Sequence, residues 1–385
     1  MTLSQKESSP AMSDEYAEQF PLSPIDDLMI HQTPDPIRIM WSSDPRAYER
    51  YWTVCHDDTG DLLVVVGGTF YPSLDGAEAY AIVNWRGRHA AVRANRPLGV
   101  DRTNMHVGPI RPTVVRGLRE WRYELTDNPF GVRFDFRFHD EKRQVYRDPG
   151  SIPVDSGYPP GRQREVTSGF EGFGTVEGWF EIEGQRVEVT RATMHGTRDR
   201  HWGVRTGVGG PDQLLGDRPP RGQNGYQFVD FGSWSIWGDR VFYPYGDERP
   251  GMGRLTSVKR RLSFEPGTHI FAGGEVSNTL STGETKQVTY QRLGQQTAYL
   301  RCGLYGGPNG GTPGAGLWQG MFGRDEVLEG EVVELTEAGR TALIGLDEHH
   351  CAVSCDDVHT TGLFQAYDTI AYDRCTKGIP GWEFL

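Results

Sequence analysis

The segment Gly196-Thr-Arg198-Asp199-Arg200-His201-Trp202-Gly203-Val-Arg205 stands out for its density of charged and ring-bearing side chains. Successive side chains of an extended chain alternate faces. Arg198, Arg200 and Trp202 therefore point one way, and Asp199 and His201 the other. A carboxylate beside an imidazole orients the ring and favours its protonated form, so Asp199 and His201 form a candidate acid–base pair. Arg198 and Arg205 are suited to fix that carboxylate or to bind a substrate oxyanion. The plainer account is a structural clamp, in which the arginines pair with carboxylates because an unpaired buried charge is costly. His106, in the run Asp101 to His106, is a second catalytic candidate if its loop lines a barrel mouth; a solvated loop histidine is the alternative. His195, near the end of the strand before the motif, reads first as structural.

Other patterns carry less chemistry. Glu348-His349-His350-Cys351 with Cys355 invites a zinc reading, but no CxxC pair or matching second half is present, so no metal is expected. Gly207-Val-Gly209-Gly210 and the Gly306 to Gly311 run lack the spacing of phosphate-binding loops. Gly232-Ser233-Trp234-Ser235 is not a nucleophile elbow.

The elements that must position these residues read as strands. Ala47 to Cys55, Leu62 to Tyr71 and Ala77 to Trp85 follow one another, and Arg86-Gly87-Arg88 signals a hairpin back onto His89 to Asn95. Arg119 to Leu125 places Trp121, Tyr123 and Leu125 on one face. Val132 to His139 alternates cleanly, with Val132, Phe134, Phe136 and Phe138 together. Further strands read at Gly172 to Ile182, Arg186 to Thr193, Tyr226 to Trp237 and Asp239 to Tyr245, and on to Thr341–Leu346. Leu317 to Gly323 is a further candidate. No run of ten residues shows a capped helical period. Short antiparallel strands in two sets imply sandwiches or barrels, and roughly eight strands close around one small ligand.

Composition agrees. Glycine is 50 of 385 residues, nearly double the usual share of roughly 7%, beside 10 Trp, 16 Tyr and 17 Phe, an all-β balance. A net charge of -12 without a basic cluster argues against a nucleic-acid partner. No apolar run approaches the ~20 residues of a membrane helix, and integral membrane association is not expected. Five unevenly spaced cysteines and the absence of an apolar leader point to free thiols and a cytoplasmic location.

GTRDRHWGVR resembles the RDxxWG signature of the AttH-like family, which includes carotenoid 1,2-hydratase (hydroxyneurosporene synthase). Arg198, Asp199, Trp202, Gly203 and Arg205 match, and His201 stands where serine or another polar residue is frequent. Gly172 to Gly184 resembles the family's Gly-rich hairpin, and Arg119 to Arg122 its Trp strand. The resemblance implies an all-β fold of two tandem lipocalin-like (calycin) antiparallel β-barrels. The expected division is a tail over 1–20, a barrel over 21–165, and a second barrel over 166–385 carrying the motif. It also implies chemistry without an organic cofactor. The expected function is a lyase, hydratase or isomerase acting by acid–base chemistry on an apolar terpenoid, steroid or aromatic molecule. A tyrosine or His106 would complement Asp199 or His201. Substrate would rest on Arg198, Trp202, Arg205, Trp85, Trp121, Tyr226 and Trp234, since aromatic walls suit an apolar ligand. A carrier without chemistry and a structural accessory protein are the alternatives, and the oligomeric state, a homodimer included, stays open.

Overall fold

Strands dominate the computed structural model, which describes residues 29, 42–99, 101, 103–142, 145–147, 166–204, 223–238, 240–242, 252–300, 326–343 and 346–368. In chain order they are β1 (Ala47–Asp57), β2 (Leu62–Tyr71), β3 (Gly76–Trp85), β4 (Arg88–Pro97), β5 (Ile110–Arg116), β6 (Glu120–Leu125) and β7 (Val132–Asp140). Next come β8 (Val145–Arg147), β9 (Val166–Ile182), β10 (Gln185–Val189), β11 (Met194–Val204), β12 (Gln223–Asp230), β13 (Ser235–Gly238) and β14 (Arg240–Phe242). The last are β15 (Met252–Phe264), β16 (Phe271–Leu280), β17 (Thr285–Leu300), β18 (Val327–Glu334), β19 (Leu346–Cys355) and β20 (Val358–Asp368). A short helix, α1 (Glu337–Ala342), is capped by the Thr336 hydroxyl, which accepts from the Gly339 amide.

Two antiparallel units stand in tandem, as expected. The first is a curled sheet of twelve strands along the path β18-β4-β3-β2-β1-β11-β9-β7-β6-β5, with β8 and β10 also paired to β9. The second is a closed barrel, β12-β13-β14-β15-β16-β17-β19-β20, sealed where β20 pairs with β12.

Alternation sets what each face does. Along β7, Val132, Phe134, Phe136 and Phe138 are fully buried inside the curl, against Trp121, Tyr123 and Leu125 of β6. Tyr123 stacks on both Trp121 and Phe136, at 5.6 and 5.1 Å between centroids. Arg133 and Asp135 on the other face pair with Glu181 and Arg122. The β3–β4 hairpin turns on Arg86 and Gly87, both at positive φ (49° and 76°), the geometry of a tight two-residue turn.

Strands β1 to β3 break this pattern because both of their faces are covered. Cys55, Val64 and Val66 enter the first core. Trp52, Val54, Leu63 and Val65 point outward into a second cluster with Phe228, Trp237, Ala298 and Leu363 of the barrel. This seam explains the unbroken apolar run of Leu62 to Val66, since a strand buried on both sides has no polar face.

Sheet membership does not follow a cut at 165/166. Strands β9, β10 and β11 complete the first sheet, and β18 returns from the C-terminal half to pair with β4. The reason lies in β1, which pairs with β11 over eleven positions, from Ala47 opposite Val204 to Asp57 opposite Met194. The motif therefore belongs to the first sheet and not to the second barrel. The expected tail over 1–20 and the strand at Leu317 to Gly323 lie outside the described residues.

Candidate active site at the seam

Strand β11 sends its charges to opposite faces, as alternation requires. Inward, Arg198 grips Asp140 through Nε (2.8 Å) and Nη2 (2.7 Å), and its guanidinium lies 5.3 Å from the Trp121 ring and 5.4 Å from Phe170. Arg200 donates to the Arg50 carbonyl and faces Glu49. Outward, Asp199 and His201 meet Arg50 of β1 and Glu171 of β9. Arg50 Nη2 lies 2.5 Å from Asp199 Oδ2 and 3.0 Å from His201 Nδ1. His201 Nδ1 is 3.4 Å from Asp199 Oδ2, and its Nε2 is 3.1 Å from Glu171 Oε1. Burial alone would lower the Arg50 pKa; the adjoining Asp199 carboxylate, with Tyr48 and Tyr80, raises it overall.

This network is sealed. Asp199 and His201 are each 1% exposed, and the Trp237 ring of the barrel stands edge-on to His201 at 5.6 Å. The Trp237 indole also donates to Thr197 Oγ1 at 3.0 Å, tying barrel to sheet.

A cavity of about 240 Å³ opens further along the same seam. Its walls come from β1, β9 and β11 on one side and β12 and β20 on the other. His56 and His195 are cross-strand partners on that wall, with ring centroids 6.5 Å apart. His56 is buried, which brings its pKa down to about 4 against the opposing hydrogen bond to the Asp57 carbonyl. That bond, 3.3 Å from Nδ1, puts the ring proton on Nδ1 and leaves Nε2 as an acceptor. His195 is partly exposed, with Nε2 3.4 Å from Asp58 Oδ2. Behind His56 lies the buried His350 of β19, at 4.6 Å between rings.

The other residues singled out from sequence are dispersed. Asp199, His201, Arg198 and Trp202 do not line the cavity. His106 is an exposed loop residue whose carbonyl accepts from Arg96. Trp85 sits under Arg86 at the hairpin, and Trp121 fills the first core. Tyr226 is exposed, and Trp234 stacks on Phe231 at 4.2 Å in the barrel. Arg205 lies outside the described residues. Sequence reading missed His56, Asp58, Phe173 and Phe228. No local signal marks them, because only the β1–β11 register and the docking of the barrel bring them together.

Across the seam, Glu348 accepts from Gln365 Nε2 at 2.5 Å. Burial pushes its carboxyl up to about 8, against the opposing hydrogen bond from Gln365. The folded state then holds a proton that the unfolded chain releases near 4.5, so stability falls as pH rises between those values. His56 (about 4) and His349 (about 3) act oppositely: their contribution is complete above 6.5 and is lost as pH falls below it. Between pH 6.5 and 8, the Glu348 effect is the one left among these groups. Denaturation midpoints should decline across that window in the wild type, and the decline should flatten in Glu348→Gln. An undiminished slope in the variant would contradict the assignment.

No helix among the described residues is long and apolar enough to cross a membrane. No curated protein matches the chain. Among solved structures, it is similar to a Nitrosomonas europaea protein provisionally assigned as AttH (12% identity, TM-score 0.47, covering 83% of this chain and 92% of that one). It is also similar to kievitone hydratase from Nectria haematococca (10% identity, TM-score 0.43, covering 89% and 97%). At these scores neither carries an argument, and the fold rests on the strand pairings above. The family model of unknown function DUF8625 matches residues 22–234, more than half of the chain, and the chain belongs to that family.

Proposed function

We propose that the protein is an acid–base catalyst of the lyase, hydratase or isomerase type, working in the seam cavity. The observation that carries this is the cross-strand pair of histidines on one cavity wall, one held neutral by burial and one oriented by a carboxylate. His56 Nε2 serves as the base and His195 as the proton donor. In a hydration, His56 takes a proton from water and the hydroxide adds to the alkene carbon. His195 then delivers a proton to the neighbouring carbon. In an isomerisation, His56 removes a proton beside a carbonyl and His195 returns one elsewhere. Two imidazoles suffice for this traffic, so the reading calls on no organic cofactor. The motif's buried ions act one step away: they lock β1, β9 and β11 together and brace Trp237, whose indole holds Thr197 in the cavity wall.

The test needs no knowledge of the natural product. A ketone with acidic hydrogens, such as 4-hydroxyacetophenone, is incubated with protein in deuterated water and followed by mass spectrometry. Deuterium uptake above the buffer rate is expected for the wild type and strongly reduced uptake for His195→Gln. Equal uptake in both would remove His195 from the mechanism.

A further inference from the structure

The cavity's size and charge narrow what it accepts. A volume of about 240 Å³ falls below the range of roughly 300–1,000 Å³ typical of pockets for drug-sized ligands. It equals about eight waters at the ~30 Å³ each occupies in the liquid. A steroid nucleus of four fused rings exceeds that; one six-membered ring with a short substituent fits.

The lining divides by chemistry. Phe173, Phe228 and Leu363 give an apolar patch that a flat ring can cover. Thr361 adds a hydroxyl able to donate or accept, and Thr197, which donates to the Gly172 carbonyl and accepts from Trp237, keeps one acceptor lone pair. Three carboxylates, Asp58, Glu141 and Asp230, face a single lysine, Lys142. That lysine has no donor to spare. Its ammonium is paired with Asp230 and also reaches the Gly232 carbonyl (3.1 Å) and Ser235 Oγ (3.5 Å). Glu141 is likewise engaged, by Thr175 (2.7 Å) and Arg191 (2.8 Å). Among the described residues an anionic ligand would therefore meet an excess of carboxylates, with Lys142 already engaged and His195 held by Asp58, in a chain whose net charge is -12. A cationic ligand gains little, because two of the three carboxylates already hold a cation and Asp58 faces His195.

We infer that the seam cavity takes a compact, uncharged, single-ring molecule bearing hydroxyl or carbonyl groups. The ring lies on Phe173 and Phe228, and its oxygens meet the threonine hydroxyls and the two imidazoles. Of the terpenoid, steroid or aromatic molecules expected at the outset, this keeps the single aromatic ring and adds polar groups to it. It rests on the proposed acid–base reading only in taking the cavity as the site.

Saturation-transfer NMR, which reads weak binding, separates the possibilities with four probes: 4-hydroxyacetophenone (neutral ring), 4-hydroxybenzoate (its anion-bearing analogue), tyramine (cationic) and testosterone (four fused rings). The expected result is binding of 4-hydroxyacetophenone at least about tenfold tighter than the other three. A cavity-filling variant, Thr360→Trp, should lose that binding at least about tenfold while keeping the wild-type circular dichroism and melting curve. Equal or tighter binding of the benzoate, the amine or the steroid overturns the inference, as does failure of the neutral ring to bind or its undiminished binding to folded Thr360→Trp. Binding as expected without deuterium uptake would sink the acid–base reading and leave the ligand class standing. Uptake confined to a charged or multi-ring ketone would do the reverse.

Discussion

Replacing Asp199 with alanine should lower folding stability by about 3–5 kcal/mol, the cost of breaking a buried ion pair by removing one partner. Arg50 is 8% exposed, and Asp199 supplies its close carboxylate contact at 2.5 Å. Removing the carboxylate takes the Asp199 counter-charge from a guanidinium buried in the seam beside Trp52, Trp237 and Phe228. Proteins of this kind have only about 5–15 kcal/mol in hand, so the loss is a large fraction of the whole. The exposed pair Arg88–Glu183, with side chains 37% and 48% accessible, is the control: Glu183→Ala should cost no more than ~1 kcal/mol. Replacing both buried partners, Arg50→Met with Asp199→Leu, should recover much of the deficit, since apolar residues of similar volume need no counter-charge. Urea denaturation reads all four proteins. An Asp199→Ala loss as small as that of the exposed pair would show that water reaches the network.

Replacing His56 with glutamine should slow deuterium uptake by roughly 10²–10⁴-fold, the usual contribution of a positioned base. Glutamine keeps an N–H able to reach the Asp57 carbonyl and fills most of the imidazole's space, but it has no basic nitrogen. The melting temperature should move little, because among the described residues His56 makes no ion pair and its main bond is replaceable. Within-fewfold retention of uptake by a folded His56→Gln protein would take the base away from this site.

Much of the fold was legible locally and the cavity was not. Period-2 alternation in Val132 to His139 and the turn at Arg86-Gly87 each encode their own structure, because a strand face and a tight turn depend on neighbours in sequence. The same rule sorted Arg198 and Arg200 from Asp199 and His201. Which strand lies beside which is another matter. The pairing of β1 with β11 joins residues some 150 positions apart, as Arg50 and Asp199 do, and no short-range pattern specifies it. Sheet membership crosses the boundary placed at 165/166 for that reason. The aromatic residues proposed as ligand contacts went to cores and surfaces because burial, and not a pocket, is the ordinary fate of a large ring. His56 was invisible for a related reason. It ends a strand whose other outward residues, Trp52 and Val54, read as plain seam packing.

The pH profile of deuterium uptake is the most direct test of proton transfer at the seam. If neutral His56 is the base, uptake per folded molecule should fall as acid protonates the ring, with an acid-limb midpoint near 4 that vanishes in His56→Gln. A midpoint at the ordinary histidine value of 6.5, or an acid limb that survives in the variant, would show that another group does the work.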